Sequence, residues 1–438
     1  MLLRFGFENL YSFRDRTELS FVATALQDEP AYLLSAPGTA HGAVPAMALF
    51  GANASGKSNI VNAMGFFWTE LRDSFKRDPN APIPRTPFLL RQEARRRPSR
   101  LDCDVLVEGV RLHYGFEVDD TSVTEEWLYA WFTHRRTMLF HRQGSDRAQW
   151  HFGHSLGGRN AQIADFTRDN TLFFSVAAQH NHPLLRGLHA KLTAAVDIGD
   201  ASPAQTLRFI YADDPVLQDA RRDEVKRLLR EADLGITDLR LVSPDEKMSA
   251  LFDQLSTSFG IPEEERDKNK VLARVQRRMV EERQRTYVLE LGHQAEHGVE
   301  FLAEESESLG TRTLLKLLRP VLSVLSSGTC LVLDELGSGL HPRLSASLLG
   351  LFTSERSNPH GAQLLFTTHD DQIMDHLRRD EIGLVDKDAL GSSTLRSLSD
   401  YEIRQRDNWR RGYEAGRFGA VPIIGDVAGA LAKTAAER

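Results

Sequence analysis

With only two cysteines in 438 residues and no excess of positive charge, the chain excludes several classes before any motif is read. Cys103 and Cys330 are too few and too far apart for a disulfide framework. They are expected as buried, reduced thiols of a reducing compartment. No apolar run approaches the ~20 residues that span a bilayer. The start, Met1 to Glu8, alternates like a strand and has no signal-peptide core, so the expectation is a cytoplasmic protein without membrane contact. A net charge of -7 excludes binding to nucleic acid through the overall field, leaving only local basic patches for that purpose. Internal repeats and low-complexity tracts are absent, and no heptad pattern is sustained long enough for a long coiled coil. What remains is an ordinary globular composition, 41% hydrophobic and 26% charged, able to build a sizeable core. The length suits ~3 domains, or one nucleotide-binding head with a large insertion.

Against that background, Gly51-Ala52-Asn53-Ala54-Ser55-Gly56-Lys57-Ser58 matches G-x-x-x-x-G-K-[ST] at every fixed position. Glycines in such a loop let successive backbone N–H groups turn inward around phosphate oxygens at a helix N-terminus. The context fits, because the apolar strand 46–50 precedes the loop and a helix with one apolar face over 58–71 follows it. Lys57 is expected at the β- and γ-phosphates of ATP and Ser58 on Mg²⁺. Far along the chain, the apolar strand 330–333 ends in Asp334-Glu335. After a full P-loop this acidic pair reads as a metal-binding Asp334 and a water-polarising Glu335. His369, after the apolar strand 363–367, is placed to sense a γ-phosphate, with a plain strand-end histidine as the alternative. Ser308-Leu309-Gly310-Thr311 opens a helix over 308–325, and reads either as an N-cap or as an anion site.

Elsewhere the periodicity predicts strands at 2–8 and 17–24, then an antiparallel meander from 101–107, 110–118 and 127–134, extended by 139–142. Helices are expected at 171–179, 184–196, 214–232 and 263–285, paired strands at 287–291 and 299–302, a helix at 343–352 and a strand at 381–385. The proline-dense stretch 76–100 reads as loop.

The order of P-loop, Ser-x-Gly-Thr, Asp-Glu, the Gly339-Leu340-His341-Pro342 segment and Thr367-Thr368-His369 resembles the ABC-type ATPase heads of the SMC, RecF and OLD group. Glu8-Asn9-Leu10-Tyr11-Ser12-Phe13-Arg14-Asp15 and the closing Gly412 to Pro422 are similar to the defence-associated AAA-type ATPases of the RloA/AbiL kind. The resemblance implies an α/β fold: a P-loop NTPase head of ABC type, a mixed sheet flanked by helices, with an inserted antiparallel β meander and a helical region. It implies head parts at 1–75 and 287–400, a loop and meander at 76–170, a helical insertion at 171–286 and a partner-contacting tail at 401–438. It further implies ATP and Mg²⁺ as cofactors and a homodimer, or higher homo-oligomer, with ATP sandwiched between heads. Ser308, Gly310 and Thr311 would then complete the partner's nucleotide site, with Ser338 to Pro342 as a dimer-contact loop and Gln179 as the Mg²⁺-sensing glutamine. Ser-Leu-Gly-Thr departs from the Leu-Ser-Gly-Gly of such heads.

The function so implied is an ATP-hydrolysing switch of a bacterial anti-phage system, controlling a separately encoded effector, a nuclease. The alternatives are a RecF- or SMC-like DNA repair ATPase and an OLD-like nuclease. For the last, Asp386-Lys387-Asp388 has no acidic Gly-rich motif before it and reads as a strand end. His293 and His297 have helical spacing without a third ligand, and the pairs His151/His154 and His180/His182 are unclaimed. Two arginine groups, Arg91 to Arg100 and Arg404 to Arg417, are candidate contacts for nucleic acid or an acidic partner, the first reading more readily as a solvated surface and the second favoured for protein.

Overall fold

The strand before the P-loop sits inside a parallel sheet, and that placement explains its composition. In a computed structural model, which describes residues 1–29, 31–199, 215–232, 234–242, 288–404 and 407–422, the chain divides into two units. The first comprises Met1–Gly199, Ser323–Ser338 and Pro342–Arg438, and the second Asp200–Leu322 with Gly339–His341.

In the first unit, β3 (Ala46–Phe50) pairs in parallel with β14 (Gln363–Thr367) and β15 (Ile382–Lys387). On its other side β14 pairs in parallel with β13 (Cys330–Leu333), which pairs with β9 (Val196–Ile198). β16 (Ser393–Ser397) closes the six-stranded sheet antiparallel to β15. Every residue of β3, β13 and β14 is buried, as expected where helices or loops cover both faces. Both cysteines lie buried and unpaired, and burial pushes the Cys330 thiol up to about 12.

The second sheet of this unit is antiparallel throughout, in the order β2 (Thr17–Ser20), β1 (Leu2–Glu8), β4 (Ser99–Val107), β5 (Val110–Val118), β6 (Val123–Trp131), β7 (Thr137–Gln143), β8 (Trp150–Phe152). The expected meander is thus present and longer than its pattern suggested. The strand expected over 17–24 stops at Ser20, and the one expected at 127–134 starts at Val123. Helix α1 (Lys57–Asp73) buries Ile60, Met64, Phe67, Trp68 and Leu71 along one stripe, as its spacing predicts. Phe67 stacks on Phe116 of β5 at 5.2 Å, and Phe5 of β1 meets Trp68 at 5.8 Å, so helix and meander share one aromatic core. Gln363 ties the two sheets: its side chain both accepts from Leu2 N, at 2.7 Å, and donates to Leu2 O, at 2.9 Å.

Within the proline-dense stretch lies a short helix, α2 (Gln92–Arg96). After the meander come α3 (Asn160–Phe166), α4 (Phe173–Gln179) and α5 (Leu185–Ala194). The amides opening α4 have no capping side chain of their own. Glu126 of β6 supplies it, accepting from Phe173 N at 2.7 Å and Phe174 N at 3.0 Å, beside the buried Arg142.

The stretch expected as a helical insertion, 171–286, differs in two respects. β9 joins the P-loop sheet, being too short for its period to register. In the second unit, α6 (Pro215–Glu231) accompanies β10 (Ile236–Val242), whose alternation is broken by an irregular register between Ile236 and Asp238. The helix expected at 263–285 lies outside the described residues. β10 pairs with β11 (Val288–Ala295), and β11 with β12 (Gly298–Ala303), all antiparallel. His293 and His297 therefore lie on a hairpin rather than a helix, and His293 faces Glu307 at 2.7 Å. α7 (Leu309–Ser327) buries Leu314, Leu315, Leu318 and Leu322. α8 (Pro342–Phe352) and α9 (Trp409–Glu414) complete the first unit.

Where it is described, the tail expected to meet a partner packs several of its side chains on its own unit. Trp409 donates to Met374 O at 3.2 Å, Tyr413 lies edge-on to Phe50, Arg410 pairs with Asp375 and Arg417 with Asp407. These aromatic and guanidinium groups find partners within the chain because the short α9 can bury only one face. Arg406 and residues 423–438 lie outside the described residues.

Glu381, at the foot of β15, is wholly buried, and desolvation raises its carboxyl to about 8. A folded-state pKa raised above the unfolded value makes stability fall as pH rises from about 4.5 towards 8, by about 1.4 kcal/mol per pH unit at most. Glu381→Gln is expected to flatten that slope, so that urea denaturation at pH 5 and pH 8 gives closer midpoints than in the parent chain. Equal slopes in the two proteins would refute the assignment.

Candidate nucleotide-binding site

The P-loop leaves the C-terminal end of β3 and turns into α1 through Gly56, whose φ of 117° only glycine adopts without strain. A Cβ at Gly56 would lie 2.5 Å from Ser393 Oγ and 2.8 Å from Ser12 Oγ. At Gly51 it would lie 2.3 Å from Val385 O. The loop is therefore held from behind as well as shaped by its own glycines. Ser12 Oγ accepts from Asn59 Nδ2 at 2.8 Å and from Ser393 Oγ at 2.8 Å, and Ser393 N donates to Ser12 O. This hydroxyl cluster was not visible in the motif, because Ser12 and Ser393 stand at opposite ends of the chain.

Lys57 is buried, and its Nζ donates to Gly51 O at 2.7 Å and Ala52 O at 3.2 Å. Burial lowers its pKa, opposed by the charges of Asp334 and Glu335. An ammonium folded over its own loop, with carboxylates facing it, fits a phosphate-binding lysine. Ser55 Oγ is buried without a hydrogen-bond partner, and Asn53, Ala54 and Ser58 are exposed at the mouth of the loop. Ala54 adopts a φ of 63°, part of the inward turn of the backbone.

Asp334 and Glu335 emerge from β13 beside the end of β14, where Thr367 organises both. Its hydroxyl donates to Asp334 Oδ1 at 2.6 Å and accepts from Glu335 N at 2.7 Å. Glu335 takes a φ of 56°, a strained conformation for a residue with a side chain. Both carboxylates are exposed. Thr367 is the functional residue the motif reading passed over; its place as the last residue of a buried strand was the available signal. His369 follows, exposed, its pKa lowered by burial and then by the Lys57 charge, against Glu335 and Asp334. The imidazole is thus held neutral near pH 7.

Among the described residues no cluster of three or more His, Cys, Asp or Glu side chains could hold a metal. Ser58 and Asp334 are the protein groups suited to Mg²⁺, which keeps waters and phosphate oxygens among its ligands. Gln179 ends α4, exposed. None of the hydrogen bonds among the described residues joins it to Ser58 or Asp334.

In the second unit, Ser308 caps α7: its Oγ accepts from Thr311 N at 3.1 Å and lies 2.9 Å from Thr311 Oγ1. Gly310 packs so closely that a Cβ would meet Gly339 O at 2.9 Å. The helix cap and the close-packing glycine are both present here, and Leu309 is left largely exposed beside them. Asp386 lies near the end of β15 and Asp388 just beyond it, with Asp388 Oδ1 accepting from Leu390 N and Ser392 N, as an ordinary turn would. Of the first arginine group, Arg97 faces Glu8 and Arg100 faces Glu117, while Arg91 and Arg96 stay exposed.

Residues 46–375 match the family described as AAA domain, putative AbiEii toxin, Type IV TA system. No curated protein matches the sequence. Among solved structures, the chain is similar to the SMC head domain from Thermotoga maritima, with 13% identity, a TM-score of 0.39, and coverage of 92% of this chain and 99% of that one. It is also similar to an SmcHead crystallised with the C-winged helix domain of ScpA, with 14% identity, a TM-score of 0.43, and coverage of 90% and 97%. Among the described residues no helix is long and apolar enough to cross a membrane.

Thr367→Val keeps the shape of the strand end and removes both hydrogen bonds. Nucleotide hydrolysis is expected to fall about 10- to 100-fold, the usual effect of losing an outer partner of a metal-binding carboxylate, with little change in thermal midpoint. Unchanged turnover in a steady-state phosphate-release assay would remove Thr367 from the site.

Proposed function

The chain belongs to this AAA domain family, and on that premise we propose that it binds and hydrolyses ATP as the switch subunit of a bacterial anti-phage system. The observation that carries the chemistry is the convergence of Lys57, Asp334, Glu335 and His369 at one end of the β3–β14–β13 strands. Lys57 exchanges its two backbone carbonyls for phosphate oxygens. Ser58 and Asp334 would hold Mg²⁺, which supplies charge neutralisation at the phosphates. Glu335 orients and polarises the attacking water, and the neutral His369 has one N–H to give the γ-phosphate. Ser308, Gly310 and Thr311 would close over the γ-phosphate of a second copy, so that ATP joins two heads and its hydrolysis releases them. Support for the defence setting comes from the family's toxin–antitoxin description and from the RloA/AbiL-like segments at 8–15 and 412–422. The cycle would hold or release a separately encoded effector, with a nuclease as the natural candidate. The second reading, a RecF-like DNA ATPase, rests on Arg91 and Arg96, since Arg97 and Arg100 already face carboxylates.

Glu335→Gln is expected to bind ATP without hydrolysing it, and size-exclusion chromatography should then show an ATP-dependent shift to a dimer or larger species. An elution volume indifferent to ATP would count against the sandwich. Composite sites are tested by mixing: Lys57→Ala and Ser308→Arg chains, each inactive alone, should recover part of the activity together. No recovery despite proven subunit exchange would place every site within one chain.

A further inference from the structure

α3 with the loop before it and the turn between α4 and α5 line an open cavity of about 490 Å³ that shares no residue with the P-loop, Asp334, Glu335 or His369. Its walls are fixed by local chemistry. α4 ends with Asn181 at a φ of 55°, while His182 N donates to Ala177 O, a terminus that suits asparagine where glycine is absent. His182 is 1% exposed, and its Nδ1 accepts from Leu184 N and Leu185 N. That leaves Nε2 to carry the proton and donate to Asn160 Oδ1 at 2.8 Å, which ties the α4–α5 turn to the start of α3. Burial lowers the His182 pKa and keeps this neutral tautomer.

On this fixed frame stands an aromatic pair that is exposed among the described residues. Phe166, 57% exposed, stacks on His180 with ring centroids 5.5 Å apart and planes inclined by 17°. Arg159, Gln162 and Asn181 line the same cavity. The Asn181 amide oxygen accepts from Arg186 Nη1 at 3.2 Å, which leaves its NH₂ to donate. Among the described residues no carboxylate lines the cavity, in a chain whose net charge is -7.

A flat π surface, two amides and an unopposed guanidinium in one concavity match a particular ligand. Any base has a π face to stack on such a platform, the amides meet the polar edge of a base, and a guanidinium pairs with phosphate oxygens. An unmodified aromatic peptide side chain would use the rings and bring no phosphate for Arg159. We propose that this cavity binds a nucleobase carrying a phosphate, with Phe166 and His180 as the stacking platform and Arg159 as the phosphate partner. The same chemistry is offered by a free mononucleotide and by a base within a single strand.

The two sources are separated with a fluorescein-labelled 12-nucleotide oligouridylate, followed by anisotropy, and with UMP, followed by calorimetry. Both titrations use the full chain carrying Lys57→Ala, so that uptake at the P-loop does not contribute and failure here leaves the ATP reading untouched. At least one probe is expected to bind. Phe166→Ala should weaken binding about tenfold and Phe166→Tyr should restore it. Arg159→Gln, at an exposed position, should weaken binding and lessen its salt dependence. Binding of the oligonucleotide alone identifies a strand, and binding of UMP identifies the mononucleotide as sufficient. If neither probe binds, or if binding is the same in Phe166→Ala and Arg159→Gln, the proposal is overturned.

Discussion

One strand pairing governs the chemistry of this chain: β14 runs between β3 and β13, parallel to both. The registers Leu333 to Phe366 and Thr367 to Leu49 bring three strand ends to one level. The P-loop, the acidic pair and His369 therefore leave the sheet side by side, at the carboxyl edge where open α/β sheets receive ligands. With β14 absent, Asp334 would lose the Thr367 hydroxyl that aims it, and Glu335 the oxygen that anchors its amide. The long intervening chain is no obstacle, since the entropy of closing a loop grows only slowly with its length.

Around that edge the protein places its discomforts deliberately. Glu335 holds a backbone angle that most residues avoid, and Ser55 keeps a buried hydroxyl without a partner. Such strain persists only in rigid surroundings. The rigidity comes from below, from Gln363 bridging the two sheets and from paired charges such as Arg378 with Asp380 and Arg379 with Asp28. Those buried pairs are weak evidence for net stability, but removing one partner would leave an uncompensated charge.

The same division between local and distant determinants explains what could be read in the sequence. The P-loop was legible because its glycines, lysine and serine act through their own backbone. β13 and β14 were legible because strands covered on both faces are apolar throughout. α1 announced itself through the spacing of Ile60, Met64, Phe67 and Leu71. By contrast, α4 depends on a cap from Glu126 in a distant strand, β9 is too short to show a period, and β10 has its alternation interrupted. Thr367 passed as an ordinary strand residue because its role exists only once β13 lies alongside. For the tail, composition does not reveal that Met374, Asp375 and Phe50 neighbour Trp409, Arg410 and Tyr413.

The hydroxyl cluster behind the phosphate loop has a consequence for the order of events during synthesis. Gly56 is backed by Ser12 and by Ser393, so the cradle is complete only once residue 393 has been made. A nascent chain that has released its first hundred residues already carries the full motif, yet lacks β13, β14 and the back wall formed by β16. The back wall of the loop is thereby closed only after β16 has emerged and joined the sheet.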